Sequence, residues 1–160
     1  MKFKRKMDIG ERYLDDGDYK EAVNVFTAAI NIKSRDKTAI SKLTTAYCGL
    51  GNNYFDDGNY KKAVKAFDSA LDIKSGDEKV ISQLGTAYSD WAQSYISEGK
   101  YEEAKKIIAE VKESPAETSA YEIEEYLDAY VLMDNLYSAF NDLDLDDYKA
   151  VIKAFNNSVA

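Results

Sequence analysis

The sequence predicts an all-α fold, a solenoid of about four antiparallel helical hairpins, on three observations. A block of residues recurs at a fixed spacing, each copy has the apolar periodicity of two one-faced helices around a turn, and glycine marks the turn. Gly17, Gly58 and Gly99 lie 41 residues apart. Around each sit a Tyr four before, a Tyr two after and an Ala five after: Tyr13, Tyr19, Ala22; Tyr54, Tyr60, Ala63; Tyr95, Tyr101, Ala104. A large apolar residue follows as Phe26, Phe67 and Ile108, and three further on come Ala29, Ala70 and Val111. Three copies in one register are not chance.

In the second copy, Asn52 to Asp57 ends one helix, and Gly58 supplies the left-handed residue that terminates it. Tyr60 to Ile73 then carries Ala63, Val64, Phe67, Ala70 and Leu71 at the spacing of a single buried stripe. Gly51 and Ala63 are expected to face each other across this hairpin, with Tyr54, Tyr60 and Phe67 filling the space beside them. In the first copy, Asp18 and Glu21 have capping-box spacing for a second helix running to about Ile32. Asp36 and Asp77 are expected N-caps of the next two first helices. The second helices of those copies run from about Tyr60 to Lys74 and from Tyr101 to Glu113.

The fourth copy is weaker and its turn lacks the glycine. Ser114-Pro115-Ala116-Glu117 reads as a capping box with Pro at the first helical position, so a helix is expected from there to about Asn141. Its apolar residues, among them Leu127, Tyr130, Leu132, Met133, Leu136 and Phe140, are too many for one stripe, which predicts cover on more than one side. A short last helix, about Asp147 to Asn157, carries Tyr148, Val151, Ile152, Phe155 and Val159 on one face. The hairpins fall at about 1–34, 35–75, 76–113 and 114–160 of one domain spanning 1–160. A solenoid hides its terminal apolar face. Here the last helix folds down as the cap, or the end packs on another copy, or the protein continues.

The block resembles the tetratricopeptide repeat, whose signature runs W-x-x-L-G-x-x-Y, then Gly-x-Tyr-x-x-Ala, then Phe-x-x-Ala. It reads Tyr47-x-x-Leu50-Gly51-x-x-Tyr54 in the second copy and Tyr88-x-x-Trp91-Ala92-x-x-Tyr95 in the third. The resemblance implies a right-handed α-solenoid. This chain departs from it in period, which is usually about 34 residues in that family, and in having Ser34 and Ser75 where a Pro normally closes the second helix. Asp36 to Gly58 and Asp77 to Gly99 align without a gap and share Ile-Ser-x-Leu-x-Thr-Ala-Tyr, so the extra residues lengthen the first helix. An added heptad drifts only about 20° from phase, and the same face stays buried. Each long first helix is then about 22 residues and roughly 33 Å. The first copy's long helix is cut short at Met1, which is compatible with a piece of a longer protein.

Composition excludes several chemistries. The chain has no His, which removes His-based acid–base catalysis, Ser/His and Cys/His pairs and His metal sites from these 160 residues. The remaining Asp, Glu, Ser and Tyr are scattered on regular helices without a partnered base, so no enzyme activity and no cofactor are expected. Cys48 stands alone and reads as a packed or groove-facing thiol, which is compatible with a reducing compartment and a cytoplasmic location. Lys2, Lys4, Arg5 and Lys6 precede no apolar run, and no stretch reaches the ~18 apolar residues of a membrane span. Asp142-x-Asp144-x-Asp146 imitates a calcium loop, but Asp147 replaces its Gly and Lys153 its Glu, so no metal is expected.

A net charge of −8 argues against a nucleic-acid partner. From Glu113 to Tyr148 there is no basic residue, while Glu113, Glu117, Glu122, Glu124, Glu125, Asp128, Asp134, Asp142, Asp144, Asp146 and Asp147 all lie there. This end is a solvated repulsive surface or a docking face for a basic partner.

The resemblance implies a protein–protein interaction scaffold, with the first helices lining a concave groove that holds a peptide or helical segment. Carried over residue by residue, its groove offsets fall on Glu11, Leu14 and Asp15; on Thr45, Cys48, Asn52, Phe55 and Asp56; and on Thr86, Ser89, Gln93, Ile96 and Ser97. The basic clamp with which some of these repeats grip acidic chaperone tails is missing, apart from Asn52. A neutral-to-acidic groove prefers a basic or amphipathic segment. The alternative is a self-associating assembly element, a homodimer joined through the apolar fourth hairpin at Tyr130, Met133 and Tyr137.

Overall fold

Seven α-helices run through the residues that the computed structural model describes, 2–142 and Lys153. They are α1 (Lys2–Asp15), α2 (Tyr19–Ile30), α3 (Lys37–Asp56), α4 (Tyr60–Ile73), α5 (Glu78–Ser97), α6 (Tyr101–Lys112) and α7 (Ser119–Asp142). They pack in sequence as hairpins, α1 on α2, α3 on α4 and α5 on α6, and each second helix also packs on the next first helix. This is the nearest-neighbour logic of a solenoid. The first helices α1 and α3 make only slight direct contact, whereas α7 lies against both α5 and α6.

The repeated turns are built as the glycine spacing predicts. Gly17, Gly58 and Gly99 have φ of 78°, 70° and 71°, a left-handed conformation that costs glycine no Cβ clash. In the second copy Asn59 N donates to Tyr54 O at 2.7 Å and Gly58 N to Phe55 O at 2.8 Å. The pair satisfies two carbonyls that the end of α3 leaves unpaired. Asp18 N to Tyr13 O and Lys100 N to Tyr95 O repeat the bond to the fifth residue back in the other two copies.

Within the first two hairpins the close approach falls on an aromatic ring. A Cβ on Gly51 would meet the ring of Phe67 at 2.6 Å, so the nearest side chain to Gly51 is that of Phe67. Gly10 stands in the same relation to Phe26, at 2.7 Å. The third hairpin has Ala92 and Ile108 at these two positions, both buried. A smaller partner there leaves room for a methyl group.

The long first helices are 20 residues each, about 30 Å, close to the expected length. Their caps form as expected, Asp36 Oδ1 accepting from Ala39 N at 3.0 Å and Asp77 Oδ1 from Val80 N at 3.4 Å. Asp36→Ala is expected to cost about 1 kcal/mol, read as a lowered midpoint in urea denaturation. The Asp18 side chain makes no cap bond, and the box with Glu21 is not formed; Glu21 accepts instead from Asn24 at 3.4 Å. The Gly17 turn leaves Asp18 at ψ 59°, outside the extended geometry a side-chain cap needs.

The helix expected from Ser114 begins five residues later, at Ser119. Ser114 Oγ turns back to donate to Val111 O and accepts from Ala116 N, while Glu117 N, Ser119 N and Ala120 N each bond three residues back. The segment is a run of tight turns. The expected cover on more than one side of α7 is not found: Ala120, Ile123 and Leu127 form a single buried stripe, Tyr121 beside them is exposed, and Leu132, Met133 and Leu136 of the second half are exposed too. The expected last helix at 147–157, with its apolar face and any capping role, lies outside the described residues, as do the positions of the carboxylate motif beyond Asp142.

The core divides inside the second hairpin, where buried residues of α3 group with the first hairpin and those of α4 with the later helices. Met7, Ala22, Phe26, Ala29, Ala39, Leu43 and Ala46 form one buried cluster, and the residues from Ala63 to Leu127 form a larger one. Tyr47 packs against both. Among the described residues, no helix is long and apolar enough to cross a membrane.

Candidate functional site

Two clefts open along the wall that the first helices form. One, about 340 Å³, lies between α3 and α5, lined by Tyr19, Ser41, Thr44, Thr45, Cys48, Asn52, Lys79, Val80 and Gln83, with Lys74 and Asp77 of the connecting loop. The other, about 540 Å³, lies between α5 and α7, lined by Glu78, Ile81, Ser82, Gly85, Thr86, Ser89, Ala116, Thr118, Ser119 and Glu122. Small residues make the second approach possible: the space beside Gly85 is filled by the Ser119 hydroxyl.

The groove residues named from sequence divide between these places. Thr45, Cys48 and Asn52 line the first cleft, and Thr86 and Ser89 the second. Asp15, Asp56, Gln93 and Ser97 are exposed towards the ends of their helices, outside both clefts. Leu14 and Phe55 are half-buried against the two core clusters. Glu11 pairs with Lys42 at 3.2 Å, a bridge from α1 to α3 that neutralises it. Ile96 is a correction: it is 1% exposed, part of the larger core cluster and closed to any ligand. An apolar side chain near the end of a first helix is drawn into the hairpin core, where the offset rule carries no information about burial.

Ser41, Lys42, Glu78, Lys79, Ser82, Gln83 and Glu122 were not reached by those offsets. Most of them belong to the N-terminal turns of α3 and α5. A residue one turn before Thr45 or Thr86, at i−4, shares its face, and that spacing locates Ser41 and Ser82.

Hydrogen bonding gives the wall its polarity. Thr45 Oγ1 donates to Ser41 O at 3.1 Å and Thr86 Oγ1 to Ser82 O at 3.0 Å. With those protons committed to the helix backbone, both hydroxyls face outward as acceptors. Gln83 Nε2 donates to Asn52 Oδ1 at 2.7 Å, joining α5 to α3, and Gln83 Oε1 is buried without a partner among the described residues. Lys74 binds Asp77 at 2.7 Å and holds its carboxyl below the usual range. Burial, reinforced by Asp77, pushes the Cys48 thiol up. A thiol so placed stays protonated near neutral pH and is a poor nucleophile.

The self-association residues also divide. Met133 and Tyr137 are exposed, whereas Tyr130 is half-buried on the core and tilted against Tyr126 with ring centroids 4.8 Å apart. Among the described residues, no group of three or more potential ligands is arranged to hold a metal ion.

Residues 6–36 and 44–77 match family models described as tetratricopeptide repeat, and the chain contains this repeat at both places. The two matches are separated by residues 37–43, the first seven residues of α3. Those residues lie in the first helix that the sequence alignment of the copies predicts to be lengthened. No curated protein matches the chain. Repeats of this kind imply protein–protein interaction.

Proposed function

We propose that the chain is a non-enzymatic scaffold that binds a basic or amphipathic polypeptide segment along the wall formed by α3, α5 and the start of α7. The observation that carries this reading is the excess of acceptors on that wall. Thr45 and Thr86 present lone pairs, and Glu78 and Glu122 are the charged residues of the α5/α7 cleft. Lysine and arginine side chains and an extended backbone bring the donors that such a wall lacks. Lys79 and the paired Lys74 temper the charge of the α3/α5 cleft, so the preference for a basic segment centres on the α5/α7 side.

A Lys-rich and a Glu-rich peptide of equal length, titrated against the whole chain, test this. The Lys-rich peptide is expected to bind about tenfold tighter at low salt and to lose that margin as salt rises. Thr45→Lys with Thr86→Lys, both exposed positions, is expected to abolish the margin without loss of helicity. Equal or inverted affinities would remove the charge argument.

A further inference from the structure

Glu78 and Lys79, neighbours in the first turn of α5, enter different clefts. Successive residues of a helix point about 100° apart. Here the glutamate lines the α5/α7 cleft and the lysine the α3/α5 cleft. Both are exposed, and among the described residues neither takes part in a salt bridge.

Each cleft keeps its own sign. From the other side of the first, α7 contributes Glu122, also outside any salt bridge among the described residues, and no Lys or Arg lines that cleft. From the other side of the second, α3 contributes Asn52, whose Oδ1 is taken by Gln83 Nε2 and whose own amide N–H groups remain as donors. Lys74 and Asp77 line this cleft too, but they pair with each other at 2.7 Å. The charge of Lys79 reaches α3: burial and then Asp77 raise the Cys48 thiol, and Lys79 opposes them. The wall is therefore positive on the α3 side of α5 and negative on the α7 side.

A segment that crosses α5 meets both signs. The helix is about 10 Å across with its side chains. In an extended chain, side chains two or four residues apart share a face and stand about 7 and 13 Å from each other, on either side of that width. We propose that the segment held by this wall carries an acidic and a basic side chain on one face, two or four residues apart. Its carboxylate sits at Lys79 and Asn52, and its ammonium or guanidinium between Glu78 and Glu122. The pattern rests on the groove reading and narrows it. A wall that attracted cations alone would lose affinity for every glutamate in its ligand, whereas this one gains from a glutamate at one place.

The test titrates the full chain at low salt with extended peptides that share a central lysine. They carry a glutamate two or four residues to either side of it, and the reference peptide has glutamine at those positions. A glutamate three residues away, which falls on the opposite face, is the control. The best glutamate peptide is expected to bind about threefold tighter than the glutamine peptide, and the control to show no gain. Lys79→Gln is expected to remove the gain and Lys79→Glu to reverse it. Unchanged helicity by circular dichroism checks the fold of both variants. If no glutamate peptide gains while a Lys-rich peptide still binds tighter than a Glu-rich one, the charge pattern is overturned and the groove reading stands. A gain that survives Lys79→Glu also overturns the pattern, because the carboxylate then sits elsewhere. If none of the peptides binds, the groove reading falls and the pattern with it.

Discussion

Replacing Phe67 with alanine is expected to lower the stability of the chain by about 3–5 kcal/mol. Phe67 is 1% exposed, its ring fills the space left by the missing side chain of Gly51, and it belongs to the larger core cluster. The neighbouring Ala63, Ala66 and Ala70 are too small to close the cavity. Because each hairpin is held by its neighbours, loss at α4 also loosens α3 and α5, which pack on it from both sides. Chemical denaturation followed by circular dichroism reads the effect. A loss below about 1 kcal/mol would mean that the site collapses around the smaller residue, against the packing described.

Adding a single methyl group at the facing position gives the second large effect. Gly51→Ala is expected to destabilise by about 1–3 kcal/mol, because its Cβ would sit within 2.6 Å of a buried ring held on both sides. The third hairpin suggests the remedy, since it places Ala92 and Ile108 at the same two positions. Gly51→Ala combined with Phe67→Ile is therefore expected to be more stable than the sum of the two single changes predicts. The coupling is measured as a double-mutant cycle. Strict additivity would mean that residues 51 and 67 do not meet as described.

Much of this architecture was legible in the sequence because helix period, glycine turn and register all repeat. Gly58 and its two equivalents locate the turns, and Asp36 and Asp77 the starts of the long helices, since each signal acts through a bond to the local backbone. Cap signals that compete with another local bond misled. Ser114 spends its hydroxyl on Val111 O, and α7 starts at Ser119. Asp18 is held by the preceding glycine turn.

The wall was legible where a residue type and a helix offset agree, as at Thr45, Cys48, Asn52, Thr86 and Ser89. Ile96 shows the limit, because an offset fixes a direction on the helix and not what covers it. Gln83 and Lys79 lie in the first turns of α5, and their place beside Cys48 follows from the spacing of α3 and α5 in three dimensions. No single-helix pattern contains that spacing.

Mapping amide chemical shifts of the labelled chain as a Lys-rich peptide is added tests the groove most directly. The account predicts that the largest changes fall on Thr45, Asn52, Gln83, Thr86, Ser89 and Glu122, on facing sides of α3, α5 and α7. Changes confined to the second helices α2, α4 and α6, with the first helices undisturbed, would contradict it.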